Sequence, residues 1–222
     1  LKSVKIGLLT IGQSPRKDIT HEIKPLISSH IEIIERGILD NLDLVEIQKL
    51  KPDKGEIPLV TILRNGKEVQ LGAEKIDSLL PNIINEMQKK GKIKGIGILC
   101  THDFHDKEYS IPVIFPSNFI KFLLKHILKI NRLGIVIPLE NQIDMVKEKF
   151  QSNKIIIQVK SPYSQEKSWE EIVDYFKKEK IDGIILDCIG YKIKDKQEIQ
   201  DLIEIPVLLP RLILAHAINQ LF

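Results

Sequence analysis

Cysteine is scarce in this chain, with two among 222 residues, and that excludes a disulfide-stapled scaffold. Long apolar runs are missing as well; none approaches the ~20 residues of a membrane-spanning helix. The formal net charge is only +3. The lysines behind it, such as Lys89, Lys90, Lys92 and Lys94, carry no interleaved aromatics, so neither a nucleic acid nor a membrane surface is an expected partner. No helix-turn-helix, zinc-finger, G-x-G-x-x-G or P-loop pattern occurs, and a nucleotide cofactor is not implied. A first strand opening at Val4 leaves no room for a signal peptide, and two cysteines without secretory context fit a reducing, cytoplasmic compartment.

The material present is that of a folded protein. Hydrophobic residues make up 43% and charged residues 28%, enough to bury a core and solvate its surface. Short Val/Ile-rich runs alternate with helical periodicity, which predicts an α/β fold with mostly parallel sheets and crossover helices. Strands are expected near Val4–Thr10, Ile31–Glu35, Ile96–Cys100, Leu133–Ile137, Ile155–Val159, Ile184–Cys188 and Pro206–Leu209. Helices are expected near Pro15–Ser28, Ala73–Lys90, Ser117–Leu128, Asn141–Phe150, Trp169–Lys178, Lys196–Leu202 and Arg211–Leu221. One insertion interrupts the alternation: Leu59–Leu63, Asn65-Gly66 and Glu68–Leu71 read as a β-hairpin with a type I′ turn.

The halves look like distant copies. Lys92-Ile93-Lys94-Gly95-Ile96 leads to Cys100, and Lys180-Ile181-Asp182-Gly183-Ile184 leads to Cys188, at a constant offset of 88. Lys5-Ile6-Gly7-Leu8 echoes Arg132-Leu133-Gly134-Ile135 in the same order. A duplication explains both matches. It divides the chain into a first half, 1–115, with the hairpin near 57–71, and a second half, 116–222, opened by a linker helix. These are two pseudo-symmetric Rossmann-like, or flavodoxin-like, halves.

In such sheets ligands bind beyond the carboxyl ends of the strands, and the unusual residues collect there. Ser14 suits a helix N-cap and Pro15 the first helical position. Free N–H groups in that turn, beside Arg16, would hold a carboxylate or phosphate. Five arginines stand against 28 lysines, so an arginine points to use of its planar fork. Three of them, Arg16, Arg64 at the hairpin turn and Arg211, lie at loop or strand ends. Asp40 follows the second strand and faces either a site or a turn. The cysteines end equivalent strands, and His102 with nearby N–H groups could lower a thiol pKa enough for proton transfer or nucleophilic attack. The competing reading is two buried, inert core thiols. Cys100, His102 and His105 lie close together, but without a known zinc spacing or a fourth ligand, and no metal is expected.

Four motifs carry a resemblance: Thr10-Ile11-Gly12-Gln13-Ser14-Pro15-Arg16, Gly37-Ile38-Leu39-Asp40, Leu186-Asp187-Cys188-Ile189-Gly190-Tyr191 and Pro206-Val207-Leu208-Leu209-Pro210-Arg211. Together they resemble the AroM family over essentially the whole chain. That family has no settled activity, but its fold is similar to the aspartate/glutamate racemase superfamily. There, two α/β halves enclose a small carboxylate substrate, with one cysteine from each. The resemblance implies a cofactor-independent racemase or isomerase with Cys100 and Cys188 as proton carriers and no pyridoxal phosphate or metal. It also implies a substrate site drawn from Thr10, Gln13, Ser14, Arg16, Thr101, His102, Gly190, Tyr191 and Arg211, in a chain compatible with a homodimer. The alternatives are a small-acid sensor without turnover and a redox pair. Two features depart from the amino-acid racemases. A Thr-His pair follows the first cysteine rather than the second, and Asp187 precedes Cys188, where strand alternation predicts that it faces away from the sulfur.

Overall fold

The computed structural model describes residues 3–105, 107–151, 154–164 and 167–222. The chain divides into two units, Leu1–Pro116 with Leu214–Phe222, and Ser117–Ile213.

The first unit runs β1 (Val4–Thr10), α1 (Lys17–Ile23), β2 (Ile31–Gly37), α2 (Leu44–Lys49), β3 (Pro58–Ile62), β4 (Glu68–Gly72), α3 (Ala73–Gly91), β5 (Gly95–Leu99) and β6 (Val113–Ile114). Its main sheet is parallel, in the order β2-β1-β5-β6. Every residue of β5 and the last five of β1 are buried, as strands covered on both faces require. One core joins Leu9, Ile96 and Ile98 of the sheet to Ile76, Leu80 and Ile84 of α3. Each such side chain contributes about 1.5–3 kcal/mol by leaving water.

The expected insertion is a two-stranded antiparallel hairpin, β3 with β4. Its turn is not type I′, because only Gly66 takes a positive φ, 81°. The Gly66 N–H donates to the Leu63 carbonyl and the Leu63 N–H to the Lys67 carbonyl, a type I turn closed by a glycine bulge. Arg64 within that turn donates its own N–H to Gln13 Oε1, 3.0 Å away, which fixes the tip against the loop after β1.

The second unit begins within α4 (Pro116–His126) and continues β7 (Arg132–Ile137), α5 (Ile143–Lys149), β8 (Lys154–Val159), α6 (Trp169–Lys178), β9 (Gly183–Leu186), α7 (Ile193–Leu202) and β10 (Val207–Leu208). Its sheet is parallel in the order β8-β7-β9-β10, strand for strand the order of the first unit. The last helix, α8 (Pro210–Leu221), starts in this unit and belongs to the first from Leu214 onward. Helix α6 shows how sequence sets an element. Ser168 caps it by accepting the Glu171 N–H, acidic residues open it, lysines close it, and Trp169, Ile172, Val173 and Phe176 form its buried face.

The likeness of the two units extends to backbone detail. Lys92 and Lys180 are the described non-glycine residues with positive φ, 49° and 51°. Lys94 N–H donates to Lys5 O at 2.9 Å, and Asp182 N–H to Arg132 O at 2.9 Å. Ile96 N–H meets Pro112 O as Ile184 N–H meets Pro206 O. Among the described residues no helix is long and apolar enough to cross a membrane.

Candidate functional site

In the first unit Thr10 pairs in register with Leu99, so the loop after β1 and Cys100 share one carboxyl edge of the sheet. Thr10 is buried, and its Oγ1 accepts from Gly12 N–H at 3.2 Å and Arg16 Nη1 at 3.3 Å. Gly12 is required by close approach: a Cβ there would sit 2.8 Å from the Ile62 carbonyl of β3.

The predicted anion-holding turn is filled by a carboxylate of the protein itself. Asp40 Oδ1 accepts from Ser14 N–H at 2.7 Å and Arg64 Nη2 at 2.8 Å. Its Oδ2 accepts from Ser14 Oγ and Gly37 N–H, both at 2.7 Å. Ser14 is not the N-cap of α1. That helix starts at Lys17 with Arg16 at the cap, and both Ser14 donors go to Asp40, 26 residues away. The Arg16 N–H donates to Glu35 Oε2 at 2.9 Å.

Arg16 itself is 2% exposed. Its guanidinium grips Asp18 with two bonds of 2.8 and 2.6 Å and reaches Thr61 Oγ1 at 3.1 Å. Gln13 spans the same cluster, accepting from Arg64 N–H and donating to the Leu39 carbonyl. Thr10, Gln13, Ser14 and Arg16 thus gather with Asp40, Thr61 and Arg64 in one bonded network.

Cys100 follows the end of β5 and is buried. Its Sγ accepts the His102 N–H at 3.5 Å. Thr101 is buried beside it, and the His102 ring meets Phe104 edge-on at 5.1 Å. The His105 ring turns to α3, where Nδ1 lies 2.5 Å from Asp77 Oδ2. Among the described residues no group of three or more His, Cys, Asp or Glu could hold a metal ion.

The second unit repeats the thiol geometry. Cys188, two residues beyond β9, is buried, and its Sγ accepts the Gly190 N–H at 3.4 Å. Arg211 is fully buried and holds this turn through its guanidinium. Its Nε and Nη2 donate to Ile189 O at 3.2 and 2.9 Å, and Nη2 also donates to Gly190 O at 2.8 Å. Tyr191 is fully buried, and its hydroxyl donates to Lys160 O at 2.6 Å. Burial first, then the nearby Cys188 and Asp187, raise its pKa well above the usual phenol range. It therefore stays a neutral donor.

Sequence reasoning missed two residues here. Tyr163 covers Gly190 so closely that a Cβ would lie 2.7 Å from its Oη and 2.8 Å from Pro162 Cγ; the signal was the Ser161-Pro162-Tyr163-Ser164 turn at the end of β8. Lys149 of α5 places Nζ 2.8 and 3.0 Å from the two oxygens of Asp187, with both side chains at most 3% exposed. Nothing local in the sequence marks that pair, whose members lie 38 residues apart.

A protein-family comparison matches the chain to the AroM protein model over residues 6–222. No curated protein sequence matches it significantly. Solved structures share its fold at low identity. Allantoin racemase from Pseudomonas fluorescens superimposes with a TM-score of 0.67 at 12% identity, covering 98% of this chain and 90% of that one. Maleate isomerase from Pseudomonas putida S16 gives 0.64 at 11%, covering 99% and 93%. Glutamate racemase from Francisella tularensis, solved with D-glutamate, gives 0.53 at 15%, covering 100% and 81%. The fold is thus of the aspartate/glutamate racemase type, and the chain belongs to the AroM family.

Proposed function

We propose that this protein is a cofactor-independent enzyme acting at the carbon next to the carboxylate of a small acid, with Cys100 and Cys188 as its proton carriers. One observation carries the reading: both buried thiols follow the ends of equivalent strands, and each accepts the backbone N–H two residues on, at 3.5 and 3.4 Å. A backbone N–H aimed at sulfur favours the thiolate over the thiol. Repetition of that arrangement in both units is not needed by two inert core cysteines.

In the proposed step one thiolate takes the α-proton and becomes a thiol. The electron pair left behind spreads into the carboxylate as an enediolate, and the other thiol returns a proton to the opposite face. Backbone N–H groups and hydroxyls at the strand ends, Thr101 among them, would stabilise the enediolate charge. The resemblance to glutamate racemase, allantoin racemase and maleate isomerase supports this class of chemistry. Arg16 and Arg211 are read as struts that shape the two thiol-bearing edges, since their guanidinium groups hold internal carbonyl, hydroxyl and carboxylate oxygens.

The test is deuterium incorporation followed by NMR, with the protein in D₂O beside a panel of small amino, hydroxy and dicarboxylic acids. Exchange at the α-carbon of one compound, lost in the C100S/C188S variant, is the expected result. Interconversion of the two configurations at full rate in both single variants would refute the thiol mechanism. A compound that raises the melting temperature without exchanging would favour a sensor.

A further inference from the structure

Lysine is rarely buried unless paired, and the side chain of Lys149 is 3% exposed. It reaches from the last position of α5 to both oxygens of Asp187, the residue directly before Cys188. A buried ion pair is a costly way to join a helix to a strand; apolar residues of equal size do so at least as well. Its place beside the thiol suggests another use.

We propose that Lys149 is a positioning residue for Cys188: it neutralises the Asp187 carboxylate so that a thiolate can form next to it. The proposal rests on the reading of Cys188 as a reacting thiol. An unneutralised buried carboxylate on the residue next to the thiol disfavours a second negative charge there. Other titratable or charged groups also surround this turn. Tyr191 stays neutral. Tyr163 lies over Gly190. Asp195 receives the Trp169 Nε1–H and the Lys192 N–H. Arg211 directs Nε and Nη2 at the Ile189 and Gly190 carbonyls.

The experiment needs no substrate. In a C100S background Cys188 is the remaining cysteine, and its ionisation is followed by thiolate absorbance near 240 nm across pH. K149M is expected to raise the midpoint by about one pH unit or more, about tenfold less thiolate at a fixed pH below it. D187N is expected to lower the midpoint, and K149M/D187N to fall between the two single variants. Opposite signs for the two single variants separate this role from a merely structural one, since loosened packing would move both the same way. Should K149M fail to fold, D187N must still titrate below K149M/D187N. Equal midpoints, or shifts of one sign, overturn the proposal. Opposite shifts in a protein that exchanges no α-proton would leave the role of Lys149 standing and refute the reaction.

Discussion

Replacing Asp40, in the turn after β2, by alanine should release the loop after β1 that it holds. Its side chain is 6% exposed, and it accepts from Ser14 N–H, Ser14 Oγ, Gly37 N–H and Arg64 Nη2. The D40A variant leaves three of those donors in a partly closed space, at about 1–3 kcal/mol each where water cannot replace the acceptor. Ser14 is partly exposed, so water recovers some of that, and a total near 3–5 kcal/mol is expected. Arg64 is different. Its side chain is 50% exposed, so R64A should cost about 0–1 kcal/mol through the ion pair. D40N keeps one acceptor oxygen and should fall between. Urea unfolding with unchanged m-values reads these differences as shifts in midpoint. Should D40A lie within about 1 kcal/mol of the parent, or R64A cost as much as D40A, the assignment of Asp40 as the anion that organises this loop is wrong.

Three further outcomes follow from other contacts. R211M should lose about 3–5 kcal/mol by stranding the Ile189 and Gly190 carbonyls, and R211K should recover only part, because an ammonium cannot span both; urea midpoints decide, and a cost below 1 kcal/mol contradicts the strut role. G190A should destabilise by about 1–3 kcal/mol through collision with Tyr163 and Pro162, and Y163F in the same protein should restore part of it in a thermal melt. Tyr191 is held protonated in the fold while the unfolded chain ionises near 10.0. The folded state then binds more protons above that pH, so stability should fall as pH rises past it. Y191F should lack this alkaline component; an unchanged pH dependence of the urea midpoint would contradict the assignment.

Local chemistry made much of this fold legible. Short Val/Ile-rich runs placed β1, β7 and β8 within a residue, and helical periodicity placed α6 at Trp169–Lys178. The offset of 88 between Cys100 and Cys188 pointed to two like sheets. Short elements were harder to read. Helix α2 escaped although Asp43 and Glu46 form a capping box, a signal present in the sequence. Strand β6, of two residues, is too short for periodicity to detect. The site failed to be legible where a partner is distant in sequence. Ser14 reads as a helix cap, whereas its two donors hold Asp40, 26 residues away. Asp187 has a partner that its neighbours in the chain could not reveal, because Lys149 belongs to α5, three elements before β9.

The discontinuous first unit also bears on synthesis. Leu214 and Ile218 pack over Gly97, and Phe222 over Gly95. Asn219 bonds to both Ser28 and Leu26, and the Phe222 carbonyl meets the His30 ring. A chain leaving the ribosome holds β1 to β6 long before the residues that cover β5 are made. The continuous Ser117–Ile213 unit has all its own parts first. The unit begun first is thus the one finished last, and until then its uncovered strand is the exposed apolar surface that a chaperone would meet.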